Sequence, residues 1–290
     1  MPATPAIGAS IGSYKVVRQL GNGLMGPVLL ATHNNAYWAV RVIDEAIVRS
    51  TASLSRLVGD VLHPALVRYK EVGADPASGG FVSTDFIDAK PIARDALSGL
   101  RAAAKLELLL QTLEGLAVLH QRGAVHGCLK PSNVLLRRKG SEVQAIIIDA
   151  GFAYVPSAIN AERLLRYAYP WMAPELVDAY QSGQRGAVDK ALTPSVDIYA
   201  AGLLVAHVLS GRLLHTQVRS LDELRQRVRS GSLRLTGIND PHQHLDLRQL
   251  DAAIRQAADP DPAQRPSSLR AFIEALRGAL PKPAAAPSAA

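Results

Sequence analysis

Asp149 ends a run of three isoleucines, and Asn133 stands sixteen residues before it, just after Lys130-Pro131-Ser132. An acid where an apolar strand stops, together with an amide oxygen on a nearby loop, makes an oxygen cage of the kind magnesium takes. Far upstream lies Gly21-Asn22-Gly23-Leu24-Met25-Gly26-Pro27-Val28, a G-x-G-x-x-G-x-V arrangement. Glycines at such spacing let the backbone bend and its N–H groups approach phosphates closely, although three glycines in a hairpin also make an ordinary turn. The run leads into another β-type segment, where a dinucleotide-binding fold requires a helix. His126 and Cys128 raise the question of a thiol nucleophile, but no third group is visible in sequence to orient the pair.

These residues need elements to hold them. Short β-type runs at 14–20, 27–32, 37–43, 66–72 and 81–86 are separated by Gly, Asn and Asp turns, with one helical stretch at about 46–60. After Pro91 the texture turns helical. Leu106, Leu109, Leu110, Leu113, Leu116, Ala117 and His120 recur along one helix face, and further helices are expected at 195–210, 220–229, 247–257 and 267–276. The pattern predicts an α+β chain, a small β-rich lobe with one helix followed by a larger α-helical lobe, joined near 85–91.

Composition narrows the class. The chain has 290 residues, 48% of them hydrophobic, enough for a sizeable core in one or two domains. Its single cysteine excludes a disulfide framework and any multi-cysteine metal site, and it fits a reducing, cytoplasmic setting. The first residues lack a charged start followed by a long apolar run, and the apolar stretch at 200–209 is broken by Gly202 and His207, so neither signal peptide nor membrane span is expected. The net charge of +7 comes mostly from 24 arginines spread along the chain, which disfavours nucleic acid as a partner. Arginine is dense at 212–234, where only Asp222 and Glu223 offset it.

Taken together, the glycine run, the segment from Val125 to Leu136, Asp149-Ala150-Gly151, Ala173-Pro174-Glu175, Asp197 to Gly202 and the late Arg265 stand in an order that resembles the eukaryotic-type (bacterial) Ser/Thr protein kinase family over about 11–280. The resemblance implies a bilobal kinase-like domain at 11–280, with an N-lobe at 11–86 and a C-lobe at 87–280. The flexible residues 1–10 and a disordered Ala/Pro tail at 281–290 would flank it. It also implies an ATP cleft. Gly21, Gly23 and Gly26 would cover the phosphates, Val28 and Ala39 would roof the adenine, and Leu135 would floor it. Thr84, Asp85 and Ile87 would form the gatekeeper and hinge, Asp88 would meet the ribose, and Arg41 and Lys130 the phosphates. Asn133 and Asp149 would hold magnesium. Glu175, Asp197 and Arg265 would be structural, with Glu175 and Arg265 paired.

The family pattern fails where phosphoryl transfer is performed. Arg41 replaces the strand lysine, and a planar fork is not a conservative exchange at a tight site. Leu54 falls where the helical glutamate belongs. Cys128 replaces the loop acid that steers the substrate hydroxyl, a loss typically worth ~10²–10⁴ in rate. Gly127 replaces the loop arginine, and Ala150 the aromatic residue after the metal-binding Asp, with Phe152 as the residue expected to refill that space. Between Asp149 and Glu175 there is no threonine, and besides tyrosines only Ser157 offers a hydroxyl.

A degenerate member, or pseudokinase, is therefore expected: a protein-binding or allosteric regulatory module that holds ATP and magnesium without efficient phosphoryl transfer. The alternatives are an atypical low-activity Ser/Thr kinase and an interaction scaffold with an occluded pocket. The expected partner is a protein, acidic or phosphorylated, such as an active kinase or its substrate, docking near Arg225 and Arg229. The Ala/Arg/Leu-rich composition has a bacterial look.

Overall fold

The computed structural model describes residues 3–23, 25–45, 48, 62–92, 97, 99–140, 142–150, 169–184, 186–211, 220, 222–223, 226, 238, 240 and 245–281. Most of the expected 46–60 helix, together with Leu54, Phe152, Ser157, Arg225 and Arg229, lies outside them.

Six antiparallel strands form the first sheet: β1 (Ser10–Ile11), β2 (Tyr14–Gly23), β3 (Gly26–His33), β4 (Ala36–Ile43), β5 (Tyr69–Asp75) and β6 (Gly79–Asp85), in the order β1-β2-β3-β4-β6-β5. Side chains alternate across a strand, so one register assigns two faces. Leu29, Val40, Val42 and Phe81 go to one side, where they pack with Ile11, Tyr14 and Val16 into a separate apolar cluster. Val28, Ala39, Arg41, Val82 and Thr84 go to the other, brought side by side by the pairings Val28↔Arg41, Arg41↔Val82 and Ala39↔Thr84. Tyr14 anchors the first face: its hydroxyl accepts from Ser83 at 2.8 Å and donates to Glu71 at 3.0 Å.

Two details differ from the sequence expectation. The two strands run on through the glycine segment, beyond the expected bounds of 14–20 and 27–32, with Gly23 opposite Gly26 in the hairpin. The strand expected at 66–72 starts at Tyr69 instead, because the backbone of 65–67 is already committed to Ile147: Ile147 N–H donates to Ala65 at 2.8 Å and Val67 N–H to Ile147 at 2.9 Å.

The second lobe is built on α1 (Ala102–Gln121), α2 (Pro174–Ser182), α3 (Ala187–Ala191), α4 (Pro194–Ser210), α5 (Leu247–Ala257) and α6 (Leu269–Gly278). The small sheet β7 (Lys90–Pro91), β8 (Val134–Lys139) and β9 (Glu142–Ile147) lies against α1. Leu106, Leu109, Leu113 and Leu116 on α1 are fully buried with Ile146, Ile147, Leu204, Ile254 and Phe272. At roughly 1.5–3 kcal/mol per buried large apolar side chain, this cluster is the platform on which the loops before and after β8 and β9 are fixed. No helix among the described residues is long and apolar enough to cross a membrane.

Candidate nucleotide cleft

A cleft of about 480 Å³ opens between the sheet and the helical lobe, a size suited to a small-molecule ligand. Its walls bring together Gly21, Gly23, Val28, Ala39, Arg41, Thr84, Asp85, Ile87, Asp88, Lys130, Asn133, Leu135 and Asp149 from among the residues singled out in sequence. Gly127 and Cys128 also line it. Gly26 does not: it sits buried at the hairpin turn with φ 147°, a conformation that glycine adopts far more readily than residues with a side chain. Glu175, Asp197 and Arg265 stand apart from the walls and hold the scaffold.

The chemical end of the cleft is set by a loop and two strand ends. The segment 124–130 is moored by Asp197, in the first turn of α4, whose carboxylate accepts from His126 N–H at 2.7 Å, Gly127 N–H at 2.8 Å and the His120 ring at 2.8 Å. Gly127 has φ 70°, which explains why the loss of a side chain there costs the backbone nothing. The buried His126 ring accepts from Cys128 N–H at Nδ1 (3.2 Å) and donates from Nε2 to the Ile148 carbonyl (3.1 Å), which ties the loop to the approach of Asp149. A neutral ring with its proton on Nε2 satisfies both contacts. Burial lowers the pKa of His126 further. Burial also raises the pKa of the Cys128 thiol, so this position presents a neutral group where a carboxylate would be charged.

Asn133 ends a short 3₁₀ turn, Pro131–Asn133, and its amide nitrogen donates to the Cys128 carbonyl at 2.8 Å, leaving the amide oxygen as the donor a cation would use. Asp149 follows β9 in a left-handed conformation, φ 61°. Its Oδ2 lies 2.5 Å from Arg41 Nη2, in an ion pair whose side chains are 9% and 25% exposed. Arg41 also lies under the glycine turn, so close that any side chain at position 23 would clash with its guanidinium. The two groups read separately as phosphate contact and metal ligand are thus joined. The described residues at this end offer a cation one amide oxygen and one carboxylate, the latter with a guanidinium already on one of its two oxygens.

Sequence reasoning missed Tyr69. Its buried hydroxyl donates to the Ala150 carbonyl at 2.9 Å, and the two residues share the main core. Its hydroxyl thus reaches the backbone at position 150, whereas Phe152, expected to refill the space there, lies outside the described residues. A bulky aromatic on the strand following His63-Pro64, paired with an alanine after Asp149, was the available signal.

Arg265, fully buried at its side chain, grips Glu175 through two bonds of 2.6 and 2.9 Å, and donates to the carbonyls of Asp259 at 2.8 Å and Ser195 at 3.0 Å. Its guanidinium stacks over Tyr199, 4.9 Å from the ring centre.

The fold and cleft are those of a protein kinase domain, and the family of that description matches residues 14–276, so the chain belongs to it. Among curated proteins it is 28% identical to the serine/threonine-protein kinase Pkn1 of Myxococcus xanthus, over 95% of this chain and 39% of that protein. It is 26% identical to pkn2 of the same organism, over 92% and 32%. The chain thus spans well under half the length of these relatives. Solved structures share the fold: a double mutant of the Mycobacterium tuberculosis PknI kinase domain has a TM-score of 0.68 at 23% identity, covering 95% of this chain and 99% of that one. Rad53 in complex with AMP-PNP also has a TM-score of 0.68, at 20% identity, covering 90% and 64%.

Proposed function

We propose that this kinase domain is a pseudokinase: it binds a nucleotide in the cleft and acts by binding another protein, without efficient phosphoryl transfer. The observation that carries this is Cys128, a thiol lining the cleft at the loop position where the family places its hydroxyl-steering acid. The remaining acid at this end, Asp149, is engaged by Arg41. Nucleotide binding is supported by the walls that keep the right chemistry. Val28, Ala39, Leu135, residues 84–88, Lys130 and Arg41 all line the cleft, which supports the base, hinge, ribose and phosphate roles that the family resemblance implies for them. The fold named in complex with AMP-PNP points the same way.

Incubation of the purified chain with labelled ATP, magnesium or manganese and generic protein substrates tests the transfer claim. No transfer above a no-enzyme control is expected, and turnover that Asp149→Ala abolishes would overturn it. Nucleotide binding is read separately: a ligand at 100 times its Kd stabilises by about 2.7 kcal/mol, so a melting curve unmoved by millimolar ATP refutes it.

The second reading is a low-activity Ser/Thr kinase. It is favoured by the relatives, which are named as such kinases, and by Lys130 in the cleft. The partner surface is assigned from sequence to Arg225 and Arg229, facing an acidic or phosphorylated protein. Partner affinity unchanged by charge reversal at both positions would remove that assignment.

A further inference from the structure

The cleft's charges are arranged in an order that bears on what accompanies the nucleotide. Arg18, Arg41 and Lys130 line it, as do Asp85, Asp88 and Asp149. Asp85 is paired with Arg68 at 3.0 Å toward the hinge, so the carboxylate beside the loop and the glycine turn is Asp149. A metal normally serves such a carboxylate twice, shielding it from the phosphates and bringing them positive charge. Here Arg41 Nη2 already shields it at 2.5 Å, in a pair whose arginine side chain is nine-tenths buried. The same guanidinium packs against Gly23, the turn that a phosphate would approach through the backbone. Arg41 holds Oδ2, so a metal at Asp149 would sit beside a like charge, and among the described residues lining this end the amide oxygen of Asn133 is the other protein oxygen it would meet. Replacing the loop acid by Cys128 removes the further negative charge that a cation would neutralise.

We propose, resting on the nucleotide-binding reading above, that the cleft takes its nucleotide without a divalent cation, the Arg41 guanidinium neutralising the Asp149 carboxylate that a metal would otherwise shield from the phosphates. Calorimetric titration of ATP into the chain, once in EDTA and once in millimolar magnesium chloride, tests it. The expected Kd in EDTA is no weaker than in magnesium. Arg41→Gln removes a charged donor and is expected to weaken binding in EDTA by roughly tenfold or more, with part of the loss regained in magnesium as Asp149 is released. Binding that requires magnesium and vanishes in EDTA overturns this inference while leaving the nucleotide reading in place. Absence of binding in both buffers overturns the nucleotide reading itself. Equal affinities of wild type and a folded Arg41→Gln, as judged by circular dichroism, overturn the role of the guanidinium. The wild-type comparison decides the metal question even if that variant fails to fold.

Discussion

The Tyr69 hydroxyl donates to the Ala150 carbonyl across 81 positions of sequence, and the two side chains lie in one core. The bond also fixes the backbone directly after Asp149, which is held at a positive φ.

Tyr69→Phe keeps the ring and deletes only the donor, leaving a buried carbonyl unsatisfied. Urea denaturation is expected to show a loss of about 1–3 kcal/mol. Ala150→Phe overpacks the same space at about 1–3 kcal/mol. Tyr69→Leu combined with Ala150→Phe is expected to cost less than the sum of the two single changes, because contacting residues are coupled. Strict additivity would show that the two side chains do not share the space.

Cys128→Asp returns a carboxylate to the loop. Phosphate transfer from labelled ATP is expected to rise above the wild-type rate, toward the ~10²–10⁴ that a positioned base typically provides. Equal rates would place the block elsewhere, with Arg41 as the next position to revert.

His126 links stability to pH. Burial lowers its pKa in the folded chain below the ordinary value near 6.5, so the unfolded chain binds the proton first. Its contribution is complete above about pH 6.5 and is lost as the pH falls below that value toward the folded pKa. Melting temperatures between pH 7.5 and 5 are expected to decline on acidification in wild type, with a shallower slope in His126→Leu. Parallel slopes would assign the acid sensitivity to other groups.

Arg265→Met leaves Glu175 without its buried partner and deprives the carbonyls of Asp259, Ser195 and Pro260 of their donor. Breaking a buried pair from one side typically costs 3–5 kcal/mol, so denaturation should show a loss of about that size. Arg265→Lys should recover only part of it, since an ammonium cannot reproduce the two-pronged grip.

Much of the cleft could be read from the chain because period-two alternation carries it. Val28, Ala39, Arg41 and Thr84 are an even number of places apart within their strands or pair directly across them, so a correct register puts all four on one face. Pairings between distant segments carry no such local signature. Arg41 and Asp149 are 108 positions apart, and nothing near either residue says that a cation meant for phosphate would turn to an acid meant for metal. The Tyr69 bond itself is illegible for a related reason: its partner is a backbone carbonyl, which every residue possesses, so the sequence offers only the indirect cue of an aromatic before and an alanine after.

Arg41 is carried by the six-stranded sheet, whereas Asp149 hangs from β9 on the helical lobe. Their ion pair is consequently a latch between two bodies. Opening the mouth by hinge motion means pulling unlike charges apart in a poorly solvated spot, and whatever anion enters must bargain with that latch before it can settle.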